Sequence, residues 1–146
     1  MGKYNLTERK ERNAAYRSMV RAELVEDLYE KILRELVINR KYKDPDYSAK
    51  KLAEDLNTNT RYISAVVNIR FHKNYSNVVN EYRIKDAQYI LTDKRYKNKT
   101  MAEISSMVGF SNRQSFYAAF YRFLGTTPRA YRMKALEQAS NQEKEK

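Results

Sequence analysis

The stretch that decides the fold begins at Thr100 and reads TMAEISSMVGFSNRQSFYAAFYRFLGTTPRAYR, ending at Arg132. Its threonine and the glutamate three positions later have the spacing of a capping box, which predicts that a helix begins directly after the threonine. We expect that helix to cover residues 101–108 and a tight turn to occupy residues 109–112. A second helix is predicted over residues 113–123, because its phenylalanines recur at helical spacing. A short helix, a tight turn and a second helix together predict a helix-turn-helix across this stretch.

An earlier stretch, residues 47–74, repeats this pattern in a looser form. Ser48 and Asn59 are natural N-caps for its two predicted helices, residues 49–56 and 60–69. The chain is therefore expected to hold two helix-turn-helix motifs, and the second helix of each is the expected recognition helix. The apolar positions that match between the two copies, 53 residues apart, are Ile63 with Phe116 and Val67 with Phe120.

A helix over residues 75–92 is predicted between the two motifs, where it would act as a rigid linker. A helix of this length spans about 27 Å, which is close to the roughly 34 Å between neighbouring major-groove segments on one face of DNA. One long helical pattern, residues 7–40, precedes the first motif. The segment that follows it contains Pro45, which prevents the helix from continuing. Apolar residues recur at every fourth position of the long pattern: Val20, Leu24, Leu28, Ile32 and Leu36.

The fold is therefore expected to be all-α: two helix-turn-helix subdomains joined by a linker helix, with a long N-terminal helix. The chain has three glycines and two prolines, too few for an all-β domain with many tight turns. We divide it into an N-terminal helical extension over residues 1–23, a binding domain over residues 24–132 and a polar tail over residues 133–146. A last short helix is expected to begin at Thr127, and the tail is expected to be frayed.

The charge of the chain is unevenly distributed. The formal net charge is +11, and residues 47–132 hold 15 basic and six acidic residues. Most of the positive excess therefore lies in the two motifs and the helix between them. A concentrated positive field favours a polyanionic partner such as nucleic acid.

Several functional classes are excluded by composition. The absence of cysteine and the presence of one histidine exclude disulfides, thiol nucleophiles and histidine-rich metal cages. We therefore expect no catalytic residue, no metal and no cofactor, and the chain is not expected to be an enzyme. The sequence contains no apolar run of the length that a membrane span or a secretion signal needs. We expect a cytoplasmic location and no membrane partner.

The two motifs resemble the DNA-binding domain of the AraC/XylS family of bacterial transcriptional regulators. The resemblance implies two helix-turn-helix subdomains that both bind double-stranded DNA, and RNA polymerase as a further partner. Residues 1–146 leave no room for a ligand-binding barrel. If they are the entire product, the chain resembles the stand-alone members of the family, and if they are a fragment, a sensor domain is missing from it. The residues that carry the resemblance are Ile104-Ser-Ser-Met-Val-Gly-Phe110, Phe116, Phe120, Gly125, Thr127-Pro128, Tyr131-Arg132 and the linker motif over residues 80–87.

Base reading is expected from the outward residues in the N-terminal half of each recognition helix. Arg61 and Arg113 suit the O6 and N7 atoms of guanine, and Gln114 suits the N6 and N7 atoms of adenine. The complete set of expected base-reading residues is Thr60, Arg61, Ser64 and Ala65 in the first helix, and Arg113, Gln114, Tyr117 and Ala118 in the second.

Phosphate contacts are expected from helix N-termini and from basic side chains near the motifs, because exposed amides and cations both attract anions. Arg83 and Arg132 are interpreted as structural instead, and an ion pair is expected for Arg83. The expected phosphate-binding residues are Ser48, Thr100, Asn112 and Thr127 at the helix ends, and Arg70, Lys73, Lys97, Lys99, Arg122 and Arg129 among the cations.

The sequence departs from the family pattern at a few positions. His72 stands where a glycine is usual, so a positive φ there would be strained. Ala65 and Ala118 are small for outward positions, which favours sparse base reading with more weight on DNA shape. A monomer is favoured over a dimer formed through the long first helix. The alternative function is a protein-interaction adaptor with the same fold and no base readout, but the outward arginines argue against it.

Overall fold

The computed structural model describes residues 2–145, without the side chains of residues 2–8, 16 and 20. Every regular element in this described part is helical, which confirms the all-α prediction. A membrane-spanning segment, which needs both length and apolarity, does not occur among the described helices. The α-helices are α1 (Gly2–Leu33), α2 (Ala49–Asp55), α3 (Thr60–Phe71), α4 (Tyr75–Thr92), α5 (Met101–Val108), α6 (Arg113–Leu124) and α7 (Pro128–Lys144).

The long first helix ends earlier than the sequence pattern predicted. After Leu33 the chain makes a π-helical turn over Arg34–Ile38, and Arg40 takes a left-handed conformation with a φ of 55°. A 3-10 turn over Lys41–Lys43 follows. The predicted apolar stripe is buried only toward its end: Ile32 and Leu36 are fully buried, Leu28 is half-buried and Leu24 is 63% exposed. The side chain of Val20 lies outside the described residues.

Two separate cores support the two helix-turn-helix subdomains. In the first core, side chains of α1, α2 and α3 surround Ile32, Leu52 and Ile63. In the second core, side chains of α5, α6 and α7 surround Phe116 and Phe120. The linker helix α4 contributes to both cores. Its residues Val78, Val79 and Tyr82 pack in the first core, and Ile84, Ala87, Ile90 and Leu91 pack in the second.

The predicted N-caps are confirmed. In each case the capping side chain accepts a hydrogen bond from the backbone N–H three residues later. Glu103 completes the predicted box in a modified form, because its carboxylate accepts from the hydroxyl of Thr100 rather than from the backbone. Asn74 caps α4 in the same way. The predicted caps are Ser48, Asn59, Thr100, Asn112 and Thr127.

The expectation of a short last helix with a frayed tail was wrong. Helix α7 continues to Lys144. Its first turns pack on the second core, where the rings of Tyr131 and Phe120 lie 5.5 Å apart. Near its end, Glu143 forms an ion pair with Lys94 in the loop after α4. The last helix therefore contacts the domain near both of its ends.

Candidate nucleic-acid interface

The recognition helices α3 and α6 each bury one face and expose the other. The buried side chains are Ile63, Val66 and Val67 in α3, and Phe116, Ala119 and Phe120 in α6. Seven of the eight expected base-reading residues are exposed: Thr60, Arg61, Ser64, Ala65, Arg113, Gln114 and Ala118. Tyr117 is only partly exposed, because its ring packs edge-on against Phe116 at a centroid distance of 6.0 Å.

Equivalent positions of the two helices carry different chemistry. At 3.6 residues per turn, Arg61 and Gln114 lie opposite the buried faces of their helices. A guanidinium and a carboxamide therefore occupy the same place in the two motifs. Arg113 lies to one side of this line, and its guanidinium is 5.9 Å from the ring of Tyr117. The two motifs thus present unlike hydrogen-bonding groups, as two different half-sites would require.

The sequence reading missed two residues on the same exposed faces. Asn68 and Tyr121 lie three positions after Ala65 and Ala118, so each prolongs the outward face by one turn. Both are exposed, and Tyr121 is 61% exposed. The signal that identifies them is the helical period itself, continued beyond the N-terminal half of each recognition helix.

Both recognition helices border the same groove. Ser64 of α3 and Ser115 of α6 line an open, polar groove of about 590 Å³, together with the start of α4 at Asn74 and Ser76. One residue of each recognition helix therefore lies on this groove.

The helix N-termini expected to bind phosphate are exposed. Ser48, Thr100, Asn112 and Thr127 all lie at the surface. Each capping oxygen is occupied by an amide of its own helix, namely that of Lys51, Glu103, Ser115 and Ala130 respectively. The capping bond uses one amide of the first turn, and the remaining amides of that turn have no partner within the helix. Those amides are the groups that could meet a phosphate.

Two of the expected phosphate-binding cations are paired with acidic residues of other elements. Arg70 pairs with Glu26 at 3.1 Å, and its guanidinium lies 4.4 Å from the ring of Tyr29. Lys73 contacts Glu81 at 2.5 Å, and this hydrogen bond holds the pKa of Glu81 below its ordinary value. These contacts belong to the packing of α1, α3 and α4.

The remaining cations fall into two groups. Lys99 pairs with Glu103 at 3.5 Å, but both side chains are about half exposed. Lys97, Arg122 and Arg129 are exposed and have no ion pair within the described part of the chain. These three are therefore the cations best disposed to meet an external anion.

Arg83 and Arg132 have structural roles, as interpreted, but through different partners. Among the described residues, Arg83 does not form the expected ion pair. Instead it donates to the carbonyl oxygens of Tyr42 at 2.7 Å and Asp44 at 3.1 Å, and burial lowers its pKa. Arg132 donates to the carbonyl oxygens of Lys99 at 2.9 Å and Tyr96 at 3.1 Å. Both guanidiniums thus hold backbone turns and are not directed at an external phosphate.

His72 adopts the conformation for which a glycine is usual. It follows α3 with a φ of 57° and a ψ of 30°, and its N–H donates to the carbonyl oxygen of Asn68 at 3.1 Å. The histidine does not reshape the turn but enters the left-handed region itself, which costs free energy for a residue with a Cβ.

Comparison with known proteins gives the family. The family described as a helix-turn-helix domain matches residues 52–134, more than half of the chain. The chain belongs to the AraC-type helix-turn-helix family. The match includes both recognition helices and the linker helix, so it extends across both subdomains. A search of curated proteins by sequence found no match.

Solved structures share this AraC-type fold. The C-terminal domain of the response regulator yesN from Fusobacterium nucleatum is 22% identical, with a TM-score of 0.59, and the match covers 76% of this chain and 96% of that one. The C-terminal domain of AraT, a response regulator from Geobacillus stearothermophilus, is 23% identical with a TM-score of 0.61, covering 66% and 78%. A transcriptional regulator with an AraC-type DNA-binding domain from Chromobacterium violaceum is 20% identical with a TM-score of 0.53, covering 60% and 76%.

Proposed function

We propose that this AraC-type protein is a sequence-specific transcriptional regulator that inserts α3 and α6 into adjacent major-groove segments of double-stranded DNA. The observation that carries the proposal is the pair of equivalent exposed faces on two recognition helices that border one groove. A net charge of +11 adds a field that attracts DNA.

Each motif reads bases with a different group. Arg61 donates two hydrogen bonds to guanine in one half of the site, and Gln114 pairs with adenine in the other half. Arg113 provides a second guanine contact at the edge of α6. Ala65 and Ala118 offer only methyl contacts, so part of the specificity comes from DNA shape. The supporting residues are Thr60, Ser64 and Tyr117.

Phosphates are held by two kinds of group. The first-turn amides behind Ser48, Thr100, Asn112 and Thr127 bind phosphate oxygens without reading sequence. Among the cations, Lys97, Arg122 and Arg129 contribute most, since acidic neighbours already occupy Arg70, Lys73 and Lys99.

One chain carries both motifs, so it binds as a monomer and needs no second copy to span two groove segments. Its place of action is the cytoplasm, where the bacterial chromosome is accessible. A regulator bound in this way influences transcription by contacting RNA polymerase, which we propose as the protein partner.

The test begins with selection of bound sequences from a random duplex pool, followed by footprinting. We expect a protected site of about 20 base pairs that covers two groove segments. Arg61→Ala should relax base preference in one half of the site, and Gln114→Ala in the other half, each costing about 1–3 kcal/mol. Equal weakening on every sequence would remove the base-reading roles. The absence of any footprint, with a stable protein complex instead, would favour the adaptor function.

The salt dependence of DNA binding distinguishes cations that contact phosphate from cations that do not. Each phosphate contact that is lost should reduce the slope of log K against log salt concentration by about 0.9. We expect Arg122→Gln to produce that change. Arg70→Gln is the matched control, because its guanidinium already pairs with Glu26, and it should leave the slope nearly unchanged. Identical slopes for Arg122→Gln and the wild type would remove Arg122 from the interface.

A further inference from the structure

The turn before the first motif reaches across to the second motif. Residues 41–44 lead from α1 toward α2, and the side chain of Tyr42 packs with the first core. The backbone of the same turn lies against Gly109 in the turn of the second motif, where a Cβ would come within 2.5 Å of the carbonyl oxygen of Tyr42 and within 2.8 Å of the Cα of Lys43. A segment of the first subdomain is thus in van der Waals contact with the backbone of the second.

Arg83 holds this turn from the linker helix. Its Nε donates to the carbonyl oxygen of Tyr42 at 2.7 Å, and another guanidinium nitrogen donates to that of Asp44 at 3.1 Å. The third nitrogen donates to the side chain of Asn80 at 3.2 Å. The guanidinium also lies 5.4 Å from the ring centroid of Phe110, which belongs to the second motif. One side chain therefore touches both subdomains.

The position of Arg83 along α4 adds to this argument. Tyr82, one residue earlier, packs with the first core, and Ile84, one residue later, is buried in the second. Arg83 thus stands where the linker helix passes from one subdomain to the other. One turn further on, Asp86 accepts from the hydroxyl of Tyr42 at 3.2 Å and pairs with Lys43 at 3.4 Å. Two side chains of α4 fasten the same turn.

We infer that Arg83 is a positioning residue that fixes the two recognition helices at one relative orientation, so that the protein demands one spacing between its two DNA half-sites. A guanidinium has donors in a rigid planar fork and can hold two carbonyls and a ring at once, which a lysine cannot do. A helix alone fixes the distance between its ends. The clamped turn adds the second point of attachment that also fixes rotation about the helix.

The consequence for DNA binding rests on the proposed function. When one motif binds its half-site, the other is presented to the neighbouring groove at an effective concentration that depends on how narrowly its position is defined. A loosened connection would lower that effective concentration without changing either motif's own contacts. Affinity for a complete site would fall, affinity for a single half-site would not, and tolerance of altered half-site spacing would rise.

A first experiment needs no DNA. The chain has no cysteine, so Glu54→Cys in α2 and Ala102→Cys in α5 can carry spin labels at exposed positions of the two subdomains. Double electron–electron resonance should give a narrow distance distribution in this labelled protein and a broader one after Arg83→Met. Arg132→Met is the matched control, because that arginine also holds two carbonyls but within the second subdomain alone. The control should leave the distribution narrow.

A second experiment uses the duplex selected from a random pool by the wild type, and the same duplex with one half-site scrambled. Arg83→Met should weaken binding to the complete site about 10–100-fold and leave the half-site affinity unchanged. Inserting one or two base pairs between the half-sites should also weaken its binding by a smaller factor than it weakens binding of the wild type. Arg83→Lys keeps one charged donor group but not the planar fork. Its affinity for the complete site should therefore lie between those of the wild type and Arg83→Met.

The outcomes distinguish this inference from the proposed function. If selection returns no duplex, the proposed function fails, and the label distances still decide the role of Arg83. A distribution as narrow in Arg83→Met as in Arg132→Met would overturn the positioning role, as would an equal loss of affinity for complete and half sites. Should Arg83→Met lose its helical structure, Asp86→Ala, which releases the same turn from its other anchor, provides the same comparison.

Discussion

The backbone of Gly109 lies so close to the carbonyl oxygen of Tyr42 that a Cβ on Gly109 would stand 2.5 Å from that oxygen. Its φ of 111° also lies in the region that residues with a side chain rarely adopt. The glycine therefore serves both the turn of the second motif and the approach of a chain segment from the first.

Gly109→Ala is expected to lower the free energy of unfolding by about 2–5 kcal/mol, the sum of backbone strain and steric overlap. Thermal and urea unfolding measure this loss. Gly125→Ala is the matched control: its φ is 68°, but a Cβ there would lie more than 4 Å from every described residue other than its chain neighbours. The control should lose only the conformational part, about 1–2 kcal/mol. Equal losses of stability in the two variants would show that steric overlap with Tyr42 contributes nothing to the effect of Gly109→Ala.

His72→Gly is expected to stabilise the protein. His72 is exposed and has a φ of 57°, so the glycine removes left-handed strain without creating a cavity. Against this gain stands the greater freedom of glycine in the unfolded chain, which leaves a net increase of about 0.5–1 kcal/mol. His72→Ala keeps the Cβ and should bring no gain. If both variants unfold at the same temperature, the imidazole and not the backbone decides the stability of this turn.

The two motifs could be predicted from sequence because their determinants are local. A cap such as Thr100 is recognisable within one turn, and the apolar period that contains Phe116 and Phe120 is recognisable within two. The length of α7 could not be predicted in this way. Its later turns are polar, and the ion pair between Glu143 and Lys94 joins residues far apart in sequence.

The site shows the same division between local and distant information. The exposed faces of α3 and α6 followed from helical periodicity, and the omission of Asn68 and Tyr121 came from ending that periodicity too early. The partners of Arg83 were beyond reach, because the carbonyls of Tyr42 and Asp44 carry no signature in the side-chain sequence. A half-buried arginine with Asp86 one turn further along the helix is as compatible with an ion pair as with carbonyl acceptors.

Tyr75 should make stability depend on pH in the alkaline range. Burial raises its pKa to about 12, and its hydroxyl donates to the carbonyl oxygen of Tyr47 at 2.8 Å. The ordinary value is 10.0. Because the folded pKa is the higher one, the stabilisation is complete below pH 10 and is lost as the pH rises toward 12. The free energy of unfolding should therefore fall across this window.

Tyr75→Phe should make that fall shallower by up to about 1.4 kcal/mol per pH unit, the contribution of one proton. Urea unfolding at a series of pH values across the window measures the slope. The slope and not the absolute stability is the readout, since loss of the hydrogen bond to Tyr47 lowers stability at every pH. Parallel curves for variant and wild type would assign the alkaline transition to other groups.

Tyr121 tests how far along α6 the DNA interface extends. It is 61% exposed and lies one turn beyond Ala118 on the outward face. In the proposed complex its hydroxyl meets a phosphate or a base edge, so Tyr121→Ala should weaken binding to the selected duplex by about 1–2 kcal/mol, or about 5–30-fold. The affinity of Tyr121→Phe shows how much of that loss is due to the hydroxyl and how much to the ring.

Tyr89→Ala is the control for that measurement. Tyr89 is 59% exposed, lies on the linker helix and accepts a hydrogen bond from Arg95 at 3.1 Å, so its loss removes a similar surface away from the recognition helices. Fluorescence anisotropy at fixed salt compares the variants, because phosphate contacts make affinity depend on salt concentration. Equal affinity of Tyr121→Ala and the wild type would confine base reading to the N-terminal half of α6, between Arg113 and Ala118. A selective loss would instead require a deeper insertion of the helix, since a residue about two turns along can reach DNA only when the first turns lie well inside the groove.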